Sequence, residues 1–226
     1  MSLFAAPIFA GKIFDLDYFL ITIAGFLVFC SLSSASYIFN DLIDLRLDQD
    51  HPQKKKRPLA AGLLTKGQAI ELVFLFSFFG LIGAISLNTG FFLIAFAFML
   101  LHFLYSLSFK KFALLDILSI ASSFLIRVFA GEILTSLHIP IWLTFSVIFL
   151  SLFIASCKRR AELMYDSFKT RPALEHYRKQ LLDFYNSTFA TGTIIAYAMF
   201  TFQAEPPHFS PLIREFLLFT FPEALG

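Results

Sequence analysis

Residues 18–39 read YFLITIAGFLVFCSLSSASYIF, a run without one charged side chain. A helix that crosses a bilayer needs about 20 consecutive, mainly apolar residues, so this run is long and apolar enough to span one. Five more stretches approach the same length: 63–86, 90–108, 112–134, 140–157 and 184–204. The sequence therefore predicts an all-α, polytopic transmembrane bundle of about six full spans.

The overall composition supports the same fold class. The 226 residues are 58% hydrophobic and 15% charged, and the mean hydropathy is +0.74. A soluble domain is roughly 45–50% apolar and about 25% charged. The net charge of +2 gives no basis for nucleic-acid binding, so the membrane is the expected environment and no nucleic acid is expected as a partner.

Two shorter apolar stretches lie near the ends of the chain, at 3–10 and 211–222. Both are too short to cross a membrane. The first resembles the end of an earlier helix, and the second resembles the first half of a later one. We therefore expect one membrane domain over residues 1–226 with partial helices at both termini, truncated at both ends.

Basic residues are concentrated in alternate connections between the spans. Segments 40–62, 109–111 and 158–182 hold most of the 18 Lys and Arg residues. Connections rich in Lys and Arg remain on the cytoplasmic side of a membrane. We predict that these three segments are cytoplasmic, which places a functional site on the cytoplasmic face of the cell inner (plasma) membrane.

A dense cluster of charged residues follows the first span directly, as NDLIDLRLDQDHPQKKKRPLAAG from Asn40 to Gly62; we call it the Asp-rich segment. At about 100° per residue, Asn40, Asp41, Asp44 and Asp48 share one face of a helix. Three carboxylates at a membrane helix end are costly without a bound ligand. Because Mg²⁺ prefers such oxygen ligands, the three aspartates are candidate metal-binding and catalytic residues.

The basic half of the Asp-rich segment suits phosphate. Asn40, Lys54 and Arg57 are candidate substrate-binding residues, and an arginine can bind a phosphate with two parallel hydrogen bonds. Carboxylates for a metal and cations for phosphate together match the departure of a diphosphate. For Lys55 and Lys56 the alternative is a solvated loop that only sets topology, and His51 is expected to shape the loop.

A second charged cluster, CKRRAELMYD at 157–166, begins the third basic segment. Lys158, Glu162 and Asp166 recur every four residues, and Arg159 lies close to the same helical face. Lys158 and Arg159 are candidate phosphate-binding residues. Glu162 and Asp166 are candidate ligands of a second metal, with Glu162 also a candidate catalytic residue. An exposed helix held by ion pairs between neighbouring turns is the alternative.

One arginine lies inside a predicted span. Arg127 must face a polar cavity or a partner, because an ionised side chain is costly in hydrocarbon. Glu132 is the nearest acidic residue along the sequence, although a spacing of five residues places it off the same face. Arg127 is therefore a candidate substrate-binding residue.

The Asp-rich segment follows the pattern N-D-x-x-D-x-x-x-D-x-x-H-P-x-K-x-x-R-P-x-A-x-G without a break. This pattern resembles the first Asp-rich motif of the UbiA prenyltransferase superfamily. The resemblance implies a UbiA-type helical bundle with a central cavity open toward the membrane. It also implies a Mg²⁺ cofactor that bridges the aspartates to a diphosphate.

Further positions fit the same resemblance. The string Lys-Arg-x-x-Glu-Leu at 158–163 is similar to the decaprenyl-phosphate phosphoribosyltransferase branch, whereas members with aromatic acceptors usually carry Asp-x-x-x-Asp there. Tyr105 and Lys110, with Asp116, Arg127 and Gly131, match the third and fourth spans of the superfamily. The resemblance makes Tyr105 and Lys110 candidate substrate-binding residues, although Tyr105 also suits an aromatic at a membrane interface.

Three functions remain open on this reading. The first is transfer of 5-phosphoribose from phosphoribosyl diphosphate, a small-molecule donor, to a lipid-linked polyprenyl phosphate. The second is transfer of a polyprenyl group from its diphosphate to an aromatic acceptor. The third is a truncated, non-catalytic membrane protein.

Overall fold

The computed structural model describes residues 2–165 and 179–203, and these ranges contain helices and no strand. Short 3-10 turns occur at Ser2–Phe4, Lys54–Lys56 and Phe109–Lys111. The helices are α1 (Ala5–Phe9), α2 (Leu16–Ile43), α3 (Leu45–Asp50), α4 (Lys66–Leu87), α5 (Thr89–Leu107), α6 (Ala113–Thr135), α7 (Ile141–Tyr165) and α8 (Lys179–Gln203). The predicted all-α class is confirmed.

Long helices form at all six predicted spans. Within the described residues, α2, α4, α5, α6 and α7 are long and apolar enough to cross a membrane. Helix α8 covers the sixth predicted span, but it also includes Lys179, Gln180 and Asp183 and does not reach that threshold. The expected partial helix at 3–10 forms as a 3-10 turn followed by α1, whereas the stretch 211–222 lies outside the described residues.

Side-chain caps explain where two of the membrane helices begin. Thr65 and Gln68 form a capping box at the start of α4. This arrangement satisfies backbone N–H groups that have no partner within the helix. Asn88 ends α4 and accepts hydrogen bonds from the backbone N–H groups of Gly90 and Phe91, so α5 starts at the next residue. A single residue thus separates two antiparallel helices.

Aromatic and small residues join α2 to its neighbours. The ring of Phe29 packs edge-on against Phe91 and Phe98, with centroid distances of 5.7 and 4.9 Å. A Cβ at Gly80 would lie 2.6 Å from a methyl carbon of Leu32, so α2 and α4 approach closely only because Gly80 has no side chain. This core sets the rotation of α2, and hence the direction in which its polar residues point.

The basic connections meet at one end of the bundle. Arg57, in the connection before α4, and Lys110, in the connection before α6, both contact acidic residues at the end of α2. Arg159, in the last turns of α7, contacts Asp116 in the first turn of α6. The described parts of all three basic segments therefore surround the same region, as their shared predicted side requires.

Candidate functional site

The Asp-rich segment bends at its centre. Helix α2 ends at Ile43, Asp44 adopts φ −90° and ψ 6°, and α3 begins at Leu45. The backbone N–H of Asp48 still donates to the carbonyl oxygen of Asp44, at 2.9 Å. The prediction of one continuous helical face is therefore wrong in this detail. Because the chain changes direction at Asp44, the four polar side chains form two pairs. Asp41 pairs with Asp48, and Asn40 pairs with Asp44.

Arg57 holds the first pair. Its Nη1 donates to Asp41 Oδ1 at 2.6 Å and to Asp48 Oδ2 at 2.8 Å. The Asp48 side chain is only 5% exposed, which strengthens its interaction with the guanidinium. One nitrogen thus lies between two carboxylates from different helices, in the position of a shared cation.

Lys110 holds the second pair. Its Nζ lies 2.5 Å from Asp44 Oδ1 and 3.3 Å from Asn40 Oδ1. The Lys110 and Asp44 side chains are 14% and 18% exposed, so the ion pair is largely removed from solvent. The structure therefore places Lys110, which comes from a separate connection, directly on the Asp-rich segment.

A cavity of about 240 Å³ lies beside these pairs. Small-molecule pockets span about 300–1,000 Å³, so it suits a compact group rather than a whole lipid. His51 Nδ1 accepts hydrogen bonds from the backbone N–H groups of Gln53 and Lys54, which shapes the adjoining loop as expected. The lining residues are Ile43, Asp44, Leu47, Asp48, His51, Lys54, Ser106, Leu107, Lys110 and Lys111.

The donor atoms at this site fit a hard cation such as Mg²⁺, because they are carboxylate and amide oxygens. The two carboxylates of the first pair already contact Arg57, and the carboxylate and amide of the second pair already contact Lys110. Within residues 2–165 and 179–203, no three Asp, Glu, His or Cys side chains converge closely enough to hold a metal ion. The metal assignment to Asp41, Asp44 and Asp48 therefore stays a prediction.

Residues 1–172 match the sequence model of the UbiA prenyltransferase family. The chain belongs to this family. A solved UbiA homologue from Archaeoglobus fulgidus, bound to GPP and Mg²⁺, has the same fold, with a TM-score of 0.78 and 19% identity. The alignment covers 99% of this chain and 78% of that one. Family membership and the five apolar helices together identify an integral membrane protein.

Two relatives carry a more specific name. The chain is 31% identical to a decaprenyl-phosphate phosphoribosyltransferase of Mycolicibacterium smegmatis, over 89% of this chain and 65% of the relative. It is also 31% identical to the Corynebacterium glutamicum protein of the same name, over 88% of this chain and 62% of the relative. The chain thus spans slightly less than two thirds of the length of these UbiA-family relatives.

Within the second charged cluster of this UbiA-family chain, Arg159 belongs to a buried network. The Arg159 side chain is 1% exposed and forms ion pairs with Asp116, also 1% exposed, and with Glu162. Its Nη2 donates to Asp116 Oδ1 at 2.9 Å and to Tyr105 Oη at 3.3 Å. Tyr105 Oη in turn donates to Asp116 Oδ1 at 2.9 Å. The network joins α5, α6 and α7 and directs Arg159 toward protein partners rather than open space.

The other residues of the second cluster separate from one another. Lys158 is exposed, and Arg160 Nε lies 2.6 Å from Asp183 Oδ1 of α8. Glu162 contacts Arg159, and Asp166 lies outside the described residues. A second metal on Glu162 and Asp166 is therefore a prediction that the described residues leave open.

Arg127 faces the interior of the bundle and does not contact Glu132, the acidic residue nearest to it along the sequence. Its Nη2 donates to Ser33 Oγ at 3.3 Å, and its guanidinium lies 4.9 Å from the centroid of the Phe98 ring. Glu132 lies in the last turn of α6, where its Oε1 is 2.7 Å from Nδ1 of His138. The two side chains point apart, as expected for a spacing of five residues along a helix.

Three residues of the site received no specific role from the sequence. Asp116 is the main partner of Arg159, Ser33 contacts Arg127, and the His102 ring packs against Phe98 with centroids 4.4 Å apart. One signal was present, because Asp116 and His102 are ionisable residues within or at the end of apolar spans, like Arg127. Ser33 carries no such signal, since serine is common in membrane helices.

Proposed function

We propose that this chain transfers the 5-phosphoribosyl group of phosphoribosyl diphosphate to a lipid-linked polyprenyl phosphate and releases diphosphate. The observation that carries the proposal is the pairing of Asp41, Asp44 and Asp48 with Arg57 and Lys110 beside one cavity. The two relatives named decaprenyl-phosphate phosphoribosyltransferase support the choice of substrates. A UbiA homologue bound to GPP and Mg²⁺ supports a divalent cation and a diphosphate in this fold.

In this reaction one bond at the ribose C1 replaces another. The bond from C1 to the diphosphate oxygen breaks, and the electron pair leaves with the diphosphate. A phosphate oxygen of the polyprenyl phosphate forms the new bond to C1. Carbon C1 gains cationic character as the bond breaks, and no protein nucleophile is needed. The main task of the protein is therefore to stabilise negative charge on the leaving group.

The paired charges have a defined part in this step. Arg57 and Lys110 exchange their carboxylate partners for oxygens of the diphosphate, which also accept charge-assisted hydrogen bonds and carry more negative charge in total. Lys54 lines the same cavity and adds a third cation. The released Asp41, Asp44 and Asp48 would hold Mg²⁺, which neutralises charge on the departing group. In this scheme Tyr105, Asp116 and Arg159 hold α5, α6 and α7 in position around the site.

A transfer assay tests the proposal. Membranes that contain the chain are incubated with Mg²⁺, phosphoribosyl diphosphate labelled in its ribose and a polyprenyl phosphate, and the lipid-bound label is extracted. We expect labelled lipid that depends on both substrates. Prenylation of an aromatic acid by the same membranes, without labelled lipid, would instead support the aromatic prenyltransferase. Activity in neither assay would favour a non-catalytic protein.

Arg57→Gln is expected to change metal and diphosphate binding in opposite directions. Without the guanidinium, Asp41 and Asp48 retain their charges but lose the cation between them, so a divalent metal should bind about tenfold more tightly in the absence of diphosphate. Inorganic diphosphate should bind about tenfold more weakly, because one charge-assisted donor is lost. Titration calorimetry of the purified protein with Mn²⁺ and with diphosphate measures both affinities.

Lys56→Gln is the matched control for this change, because Lys56 is an exposed neighbour in the same basic run. It should leave both affinities within about twofold of the parent. If Arg57→Gln weakens metal and diphosphate binding together, the proposed exchange of partners is wrong.

A further inference from the structure

Arg127 is a positive charge inside the membrane bundle with few partners. In the part of the chain that the structure describes, its polar contact is Ser33 Oγ, its guanidinium lies over the Phe98 ring, and no carboxylate forms an ion pair with it. Its Nε is buried without a hydrogen-bond partner among those residues. An intramembrane charge without a counter-charge is costly, which points to a functional role.

A second polar group lies close to this charge. His102 packs against the same Phe98 ring, which is fully buried, and its Nε2 is also buried without a hydrogen-bond partner in the described ranges. Buried polar atoms are paired in the great majority of proteins. Arg127 Nε and His102 Nε2 are therefore two buried nitrogens without partners in the described ranges, and both residues contact the Phe98 ring. The positive guanidinium at this place suits an anionic group.

This charge is connected to the Asp-rich segment along α2. Ser33, Tyr37, Asn40 and Asp44 are spaced by four, three and four residues, so they form a polar stripe on one helical face. Lys110 contacts the Asn40 end of the stripe and Arg127 contacts the Ser33 end. These ends are about 10 Å apart along the helix axis at 1.5 Å per residue. Between them, Tyr37 is 70% exposed, so the described helices leave the stripe uncovered at Tyr37.

We propose that Arg127 binds a second phosphate group of the substrates, which is separate from the diphosphate that leaves. The inference rests on the proposed function and concerns the deep end of the same site. Phosphoribosyl diphosphate carries a diphosphate at one end of its ribose and the 5-phosphate at the other, so cations at both ends of the polar stripe match its charges. The phosphate of the lipid acceptor has the same chemistry and is the other source.

Arg127 also distinguishes the two candidate donors, phosphoribosyl diphosphate and a prenyl diphosphate. A prenyl diphosphate would place hydrocarbon against the Arg127 guanidinium, so the donor itself would supply no anion to that desolvated charge. A donor with a second phosphate would pair with that charge. Where the donor supplies the second phosphate, Arg127 is a specificity-determining residue that favours a donor with anionic groups at both ends.

Direct binding tests the assignment. The purified full chain in lipid nanodiscs, with Mg²⁺, is titrated with inorganic diphosphate, phosphoribosyl diphosphate and a polyprenyl monophosphate. Arg127→Gln should bind phosphoribosyl diphosphate about tenfold to a hundredfold more weakly, and inorganic diphosphate as the parent does. Arg127→Lys, which keeps the charge, should lose less. Arg46→Gln is the control, because Arg46 is exposed on α3.

Each outcome decides between the possibilities. Unchanged binding of inorganic diphosphate shows that the Asp-rich segment of the variant is intact. A loss confined to the polyprenyl monophosphate would support the second phosphate site and assign it to the acceptor. If the variant binds phosphoribosyl diphosphate and the polyprenyl monophosphate as tightly as the parent, this inference is overturned. An equal loss of affinity for inorganic diphosphate would also overturn it. Both outcomes leave the proposed function standing. A parent chain that does not bind phosphoribosyl diphosphate would overturn both.

Discussion

Asp116→Ala is expected to lower the free energy of unfolding by about 3 kcal/mol, because it removes the main counter-charge of a buried arginine. Asp116 and Arg159 are each 1% exposed, so water cannot replace the lost partner. Glu162 still contacts the guanidinium, which places the effect at the lower end of the usual range for a broken buried ion pair. Denaturant-induced unfolding of the purified protein in mixed micelles measures the change.

Asp183→Ala is the matched control. Asp183 also pairs with an arginine, Arg160, but its side chain is 50% exposed. Removal of such a pair costs about 0–1 kcal/mol. A similar loss in both variants would show that burial does not govern these pairs.

A double variant distinguishes a structural role of Arg159 from substrate binding. Replacement of Asp116 by leucine together with Arg159 by methionine removes both buried charges, and should recover most of the lost stability. If the double variant is stable and still binds phosphoribosyl diphosphate with parental affinity, Arg159 only positions the helices. If it is stable but binds the donor poorly, the phosphate-binding role predicted from the sequence stands.

The second large effect is expected at the bend of the Asp-rich segment. Asp44→Asn should lower turnover in the transfer assay by roughly a hundredfold to a thousandfold, which is typical for loss of a group that stabilises transition-state charge. Asp44 ends α2, lines the cavity and contacts Lys110, so its carboxylate lies at the centre of the proposed site. Insertion into the membrane should not change, because asparagine has almost the same shape.

Asp50→Asn is the control for this substitution. Asp50 belongs to the same segment, but it is exposed at the end of α3 and does not line the cavity. Its replacement should leave turnover within about twofold of the parent. Equal turnover of the Asp44→Asn protein and the parent at saturating Mg²⁺ would reject the metal-binding role of Asp44.

The sequence was sufficient for features that depend on neighbouring residues. Apolar runs near 20 residues long located the membrane helices, because the hydrocarbon thickness of a bilayer dictates that length. The unbroken pattern from Asn40 to Gly62 identified the family, and its charges marked the region where the site forms. The bend at Asp44 was missed, since the local pattern suits a continuous helix equally well.

The partners of the charged side chains depended on tertiary structure. Lys110 meets Asp44 across 66 residues of sequence, Arg159 meets Asp116 across 43, and Arg127 meets Ser33 across 94. Each pairing depends on how far two packed helices are rotated and shifted against each other. Contacts such as Gly80 against Leu32 determine that rotation, and many apolar residues would satisfy the same hydropathy pattern. Composition and spacing therefore specified which charges this protein carries and on which helices, whereas only the packing of those helices decided which charges meet.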